Sequence, residues 1–292
     1  MVSAAQDELR SYFGRASGLH LRPALACQAE SRLASLLGRS DGESLAQFIA
    51  ELDPAGDGPL AREIVDALTC RETWFFRDRA PFADFLHRQL PRMMERRLES
   101  RLLRIWSAGC ASGQEAYSLA MCLDWARRRL GDWKIELVGT DLSASMIERA
   151  RAGAFDHGEI QRGLPVQALL RFCEQAPASA AYPWRMRRAL RASLRFEAHN
   201  LLRDCAGLGR FDIIFCRNVL ADMHIGAQRQ VLANLAGQLA DNGFLVLGRD
   251  ETPWSHEAEF TAHTPGSGVF ERRAYPLETA KGRRHLRLIV NR

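Results

Sequence analysis

Apolar residues recur at three- and four-residue spacing over Asp7–Phe13, Ala24–Leu37, Glu43–Leu52 and Leu60–Leu68. That is the period of helices with one buried face. Gly18, the Gly38–Gly42 segment and the PAGDGP stretch from Pro54 to Pro59 break the pattern between them. No alternating run interrupts it, so residues 1–80 read as a small all-α domain. Pro81–Glu99 continues at helical spacing, with a break near Pro91, and residues 81–100 form a connecting helix.

Beyond Leu102 the pattern changes. Short apolar runs rich in β-branched and aromatic residues appear at Leu102–Trp106, Ile135–Gly139, Ser193–Glu197, Phe211–Cys216 and Phe244–Leu247. Helical stretches separate most of them. Strand and helix in alternation predict an α/β domain whose largely parallel sheet is covered on both faces. Glu259–His263 and Gly268–Arg273 flank the TPGSG turn and predict an antiparallel hairpin at the sheet edge. Phe155–Leu194 is too long for a simple crossover and reads as a helix plus a small inserted subdomain. These boundaries divide the chain into 1–80, 81–100, 101–273 and a tail, 274–292.

The segment LLRIWSAGCASGQEAYSLAM, Leu102 to Met121, joins a strand to a helix through a small-residue loop with Gly109 and Gly113 four apart. In open α/β sheets this corner holds nucleotide-type ligands beyond the strands' carboxyl ends. The spacing is neither G-x-G-x-x-G nor a P-loop, and nothing nearby is dedicated to phosphate. The pattern therefore tilts toward S-adenosylmethionine, a cationic cofactor without phosphates. The plain alternative is a tight turn.

Composition narrows the partners. The formal charge of +5 resides in the tail: from Arg272 onward there are seven basic residues against one acid, which leaves residues 1–271 with 33 basic against 34 acidic side chains. A nucleic-acid partner needs clustered cations, so none is expected. No apolar run approaches a membrane span, and the opening MVSAAQDELRSYF lacks the continuous apolar stretch of a signal peptide. A cytoplasmic, monomeric protein without membrane insertion is expected. The seven cysteines form no C-x-x-C pair, which predicts reduced thiols, and the histidines form no ligand pattern, so no metal is expected.

Further candidate residues follow the predicted strands. Glu115 opens the helix after the glycine loop. Asp141, in VGTDLS, can accept hydrogen bonds from ribose hydroxyls or cap the next helix. Asn200–Leu201 follow the third strand, where an amide can read an adenine edge or simply shape a turn. Cys216–Arg217–Asn218 end the strand FDIIF, and a buried Arg217 needs a carboxylate from protein or ligand. RETWFFRD, Arg71 to Asp78, places two arginines around an aromatic cluster. Guanidinium forks suit carboxylates, and domain packing is the alternative.

The motifs RETWFFRD, WSAGCASGQEAYSLAM, GTDLSASMIERARAGAF, FEAHNLL, FDIIFCRNVL and LADNGFLVLGRDET occur in the order seen in the chemotaxis receptor methyltransferase (CheR) family, which the chain resembles from about Leu9 to Arg272. The resemblance implies a Rossmann-like S-adenosylmethionine methyltransferase sheet with an antiparallel C-terminal edge, a preceding all-α domain and an inserted β-subdomain near 177–195. It implies methyl transfer from S-adenosyl-L-methionine, leaving S-adenosyl-L-homocysteine, to glutamates on the cytoplasmic helices of methyl-accepting receptors. By position it implies cofactor contacts from Arg71, Thr73, Arg77, Gly109, Glu115, Asp141, Asn200, Leu201, Arg217 and Asn218, with Arg77 and Arg217 as the groups that orient the acceptor.

Three departures stand out. Arg71 replaces a usual Asn, Gln114 replaces one of two adjacent acids, and Asp222 replaces a Tyr beside the transfer site. Asp222 would repel an incoming glutamate unless paired, with Arg77 or Arg71 as the expected partners. That substitution keeps open a catalytically altered, cofactor-binding sensor or interaction module; a methyltransferase with a different acceptor, such as RNA or a small molecule, is a further alternative. The insert also lacks the glycines common in members that dock a receptor's C-terminal peptide, so such tethering is not expected.

Overall fold

The computed structural model describes residues 4–38, 45–53, 56, 58–69, 72–177, 180–263 and 266–273. The basic tail therefore lies outside the described residues. The helical N-terminal region contains Ala4–Ser17, Pro23–Cys27, Ala29–Arg32, Ala34–Leu37, Leu45–Ala50 and Pro59–Leu68. Its own core gathers Leu9, Phe13, Leu33, Phe48, Ile64 and Leu68. The single helix expected over Ala24–Leu37 is three short ones, because Gln28 and Leu33 leave helical geometry at φ −96° and −94°. Neither residue is a glycine or proline, so local sequence carried no break signal. At the next junction a π turn, Phe85–Gln89, joins Ala80–Asp84 to Leu90–Arg96, and the helix continues through Pro91. A wide turn next to the proline accommodates its missing backbone donor without ending the helix.

Ten strands follow among the described residues: β1 (Leu102–Ala108), β2 (Lys134–Asp141), β3 (Ala154–Phe155), β4 (Cys173–Gln175), β5 (Trp184–Met186), β6 (Leu194–Ala198), β7 (Phe211–Cys216), β8 (Leu239–Leu247), β9 (Phe260–Ala262) and β10 (Val269–Arg272). Seven form one sheet in the order β6-β2-β1-β7-β8-β10-β9. Its strands β6, β2, β1, β7 and β8 run parallel, and β10 pairs antiparallel with both β8 and β9. The expected reversed hairpin therefore closes the edge.

Period-2 alternation explains why the sheet is covered twice. Leu103 and Ile105 of β1 and Ile213 and Phe215 of β7 enter one core. Trp106, Ala108, Ile214 and Cys216 enter the other. Strand β1 outruns the expected Leu102–Trp106 because the small Ser107 and Ala108 still pair with Gly139 and Thr140.

Strands β3, β5 and β4 make a separate antiparallel sheet. Two of them lie upstream of the 177–195 segment expected to hold the insert, and only β5 falls inside it. Strands of two or three residues give no readable alternation. Among the described residues no helix is long and apolar enough to cross a membrane.

Candidate functional site

The chain goes from β1 to β2 on one side and later returns to β7 on the other, so β1 marks the switch point of the sheet. Crevices at such points open beyond the strands' carboxyl ends. Here the crevice is a cavity of about 300 Å³ that the helical region roofs with Phe13, Ser17, Leu19, His20 and Arg22. Thr73, Arg77, Gly109, Glu115, Asp141, Asn200, Leu201, Arg217 and Asn218 all line it. Arg71 lies outside the described residues.

The floor begins at Gly109, which takes φ +78° and whose added Cβ would stand 2.5 Å from Val219 Cγ2. Only glycine fits that backbone and that gap. The amides of Gly109 and Cys110 both donate to the Thr140 carbonyl, at 2.8 and 2.9 Å. The Ala111 amide donates to Asp141 Oδ2 at 2.8 Å, and the Ser143 amide donates to Asp141 Oδ1 at 2.9 Å. Asp141 thus fastens the glycine loop to the end of β2. The helix cap is Ser143, whose Oγ accepts the Met146 amide at 3.1 Å. Ser143 also meets Asp66 of the helical region.

Below this loop is a buried charge cluster. Ser107 Oγ donates to Glu115 Oε1 at 2.8 Å, and Arg217 Nη1 donates to Oε2 at 3.3 Å. Burial pushes the Glu115 carboxyl above its ordinary range, against the opposing field of Arg217. Arg217 Nη2 also donates to Asp78 Oδ2 at 2.5 Å and to the Arg77 carbonyl at 3.0 Å. The carboxylates that a buried arginine requires are therefore protein-supplied. Arg217 Nε is buried with no partner among the described residues, and so is Asn218 Oδ1.

Arg77 differs from Arg217. Its guanidinium stacks over the Trp74 ring at 4.2 Å and donates to the Glu72 carbonyl at 3.0 Å. It has no carboxylate partner among the described residues. At the opposite wall, Asn200 Oδ1 accepts the Leu202 amide at 3.0 Å, and Nδ2 donates to the Ala16 carbonyl at 3.2 Å. Asn200 shapes its own turn and ties it to the roof.

Two residues that sequence reasoning gave no role hold the remaining wall. Glu251, buried, accepts the amides of Asn218 at 2.9 Å, Ala221 at 3.0 Å and Gly248 at 2.7 Å. It pins the loop after β7, where Asn218 sits at φ +58°. Arg22 binds both oxygens of Asp222, at 2.8 and 3.1 Å. The expected pairing of Asp222 with Arg77 or Arg71 is thus replaced by one with Arg22. The cause is a backbone tie: Leu19 bridges Met223, the His20 amide donates to the Asp222 carbonyl at 2.8 Å, and the His224 amide donates to the Gly18 carbonyl at 3.0 Å. That tie brings Arg22 to Asp222 across the cavity mouth.

The residues present fit a cationic adenosine cofactor. Glu115 and Asp141 supply negative charge, and the orphaned Asn218 Oδ1 and Arg217 Nε supply unused polar atoms.

Comparison with known proteins agrees with this geometry. Residues 71–266 match the family described as CheR methyltransferase, SAM binding domain. The chain is 37% identical over 256 residues to chemotaxis protein methyltransferase 1 of Pseudomonas aeruginosa, covering 86% of this chain and 92% of that one. It is 34% identical to chemotaxis protein methyltransferase Cher2 of Pseudomonas putida, over 84% of this chain and 89% of that one. A chemotaxis protein methyltransferase of Vibrio anguillarum is also 34% identical, over 76% of this chain and 79% of its own length. With the cavity at the switch point of a methyltransferase-type sheet, these matches place the chain in the CheR methyltransferase family, with its S-adenosylmethionine-binding domain at residues 71–266.

Proposed function

We propose that the protein transfers a methyl group from S-adenosylmethionine to glutamate side chains on the cytoplasmic helices of chemotaxis-type receptors. The observation that carries this reading is Arg77: a cavity-lining guanidinium, held over Trp74 and without a carboxylate partner among the described residues. On this reading it orients the acceptor carboxylate.

When bound, S-adenosylmethionine supplies an electrophilic methyl carbon, which the acceptor oxygen attacks as the carbon–sulfur bond breaks and its electron pair stays on sulfur. An ionised glutamate needs no general base. The protein's task is placement and exclusion of water. Glu115 and Asp141 receive the ribose and methionine portions, and Asn200 and Leu201 border the adenine. Thr73, Gly109 and Asn218 complete the cofactor wall, and Arg71 belongs to it by sequence position. Arg217 is committed to Glu115 and Asp78 and acts as a positioning residue. Arg77 orients rather than clamps, because a ground state bound too tightly slows attack.

Asp222 is the feature that favours a catalytically altered module, and its pairing with Arg22 removes the unopposed charge on which that alternative rests. The test is incubation with methyl-labelled S-adenosylmethionine and receptor-containing membranes. Base-labile methyl esters on receptor are expected. Cofactor binding without such esters refutes the proposed acceptor.

A further inference from the structure

We infer that Arg22 masks the charge of Asp222 at the cavity mouth, and that this pair determines whether a carboxylate acceptor can approach Arg77. The inference rests on the proposed glutamate acceptor. Asp222 ends the short turn Leu220–Asp222 that follows β7 and Asn218, and it lines the same cavity as Arg77 and Glu115. Two carboxylates sharing a site disfavour each other's ionised forms. An acceptor glutamate therefore meets repulsion there unless the resident charge is offset.

Neither of the other described arginines on the cavity wall pairs with Asp222. Arg217 is buried against Glu115 and Asp78, and Arg77 is stacked on Trp74. Arg22 supplies the offset: its Nη2 donates to both Asp222 oxygens, at 2.8 and 3.1 Å, a charge-assisted contact.

The pair is not what holds the roof down. Its side chains are 51% and 43% exposed, and exposed pairs add little to stability. The Leu19–Met223 bridge and its flanking backbone hydrogen bonds join the two segments without it. A structural tie and a charge mask therefore predict different outcomes when both side chains are changed together.

The test is a four-way comparison of wild type, Arg22→Ala, Asp222→Asn and the double variant. It measures steady-state methylation of receptor-containing membranes and, by calorimetry, S-adenosylhomocysteine binding. Masking predicts that Arg22→Ala raises the KM for receptor about tenfold, with a smaller change in kcat. Added salt relieves the defect, because screening weakens exposed charges. Arg22→Gln, which keeps most of the side chain and removes the charge, gives the same rise. The double variant returns to within about threefold of wild-type KM, and S-adenosylhomocysteine affinity stays within about threefold throughout. A double variant as impaired as Arg22→Ala overturns masking and leaves a structural tie. A wild type that binds S-adenosylhomocysteine but forms no ester overturns the acceptor assignment, and the mask with it.

Discussion

Arg217 Nη1 meets Glu115 Oε2 at 3.3 Å where the arginine side chain is 1% exposed and the glutamate side chain 12%. The glutamate nevertheless has a raised pKa, because loss of water outweighs its single buried cation and the Ser107 hydroxyl. A carboxyl whose folded pKa exceeds its unfolded value holds its proton more tightly in the native state. Its contribution to stability is full below the unfolded pKa and is lost as pH rises through the folded one.

Cofactor affinity changes in the opposite sense. The ionised Glu115 favours a sulfonium, so S-adenosylmethionine affinity should fall as pH drops through the raised Glu115 pKa. The neutral thioether of S-adenosylhomocysteine should lose less. Calorimetric titration of both ligands between about pH 8 and about pH 5 checks this. Glu115→Gln should flatten the difference.

Gly109→Ala should destabilise the protein by about 2 kcal/mol, since the new Cβ combines a left-handed backbone with an overlap on Val219. Adding Val219→Ala should restore part of that loss by making room, while the backbone strain remains. Thermal melts of the single and double variants measure both parts, and equal losses would show that the overlap contributes nothing.

Glu251→Ala strips the acceptor from three amides at once. Hydrogen bonds to charged groups contribute more than neutral ones, so a loss of about 3 kcal/mol in urea unfolding is expected. S-adenosylhomocysteine affinity should weaken too, as Asn218 loses the anchor that holds its left-handed backbone. Unchanged affinity would separate this loop from the cofactor wall.

Thiol chemistry should be confined to one described residue. Burial pushes Cys122 and Cys173 up to about 12 and Cys205 to about 11, and raises Cys110 and Cys216 well above the ordinary range. Since the thiolate is the nucleophile, these stay inert. In a Cys70→Ser background, a thiol reagent at neutral pH should label the exposed Cys27 rapidly and the rest only on unfolding. Fast labelling of Cys110 would mean that the glycine loop opens in solution.

The sheet was legible because its central strands are largely buried: β7 is covered along its whole length, β1 and β2 over their second halves, and all three read as mostly apolar runs, while β6 at the edge shows only a short alternation around Phe196. The residues immediately after them were legible for the same reason. Gly109, Asp141, Asn200 and Arg217 stand where a polar residue following a buried strand meets the crevice. Arg22 and Glu251 were not. Arg22 reaches its partner across 200 residues of chain, and Glu251 reaches back 33 residues to Asn218. Neither contact leaves a local pattern; packing alone creates it. The small sheet was misplaced because its strands are shorter than one readable alternation, and the three-way break in the second helical segment has no glycine or proline to announce it.

The strap at Gly18–Arg22 also constrains how the protein is made. Its partners, Asp222 to His224, emerge from the ribosome roughly 200 residues later. The helical region has its own core and can collapse early, as local contacts favour. It must then wait without its contacts to Asp222–His224 until β7 and the loop after it have been synthesised and have packed. Domains tend to form in order of synthesis, and long-range closure comes last. The cavity is thus a late part of the molecule to form, and a nascent chain shorter than about 224 residues cannot complete its roof.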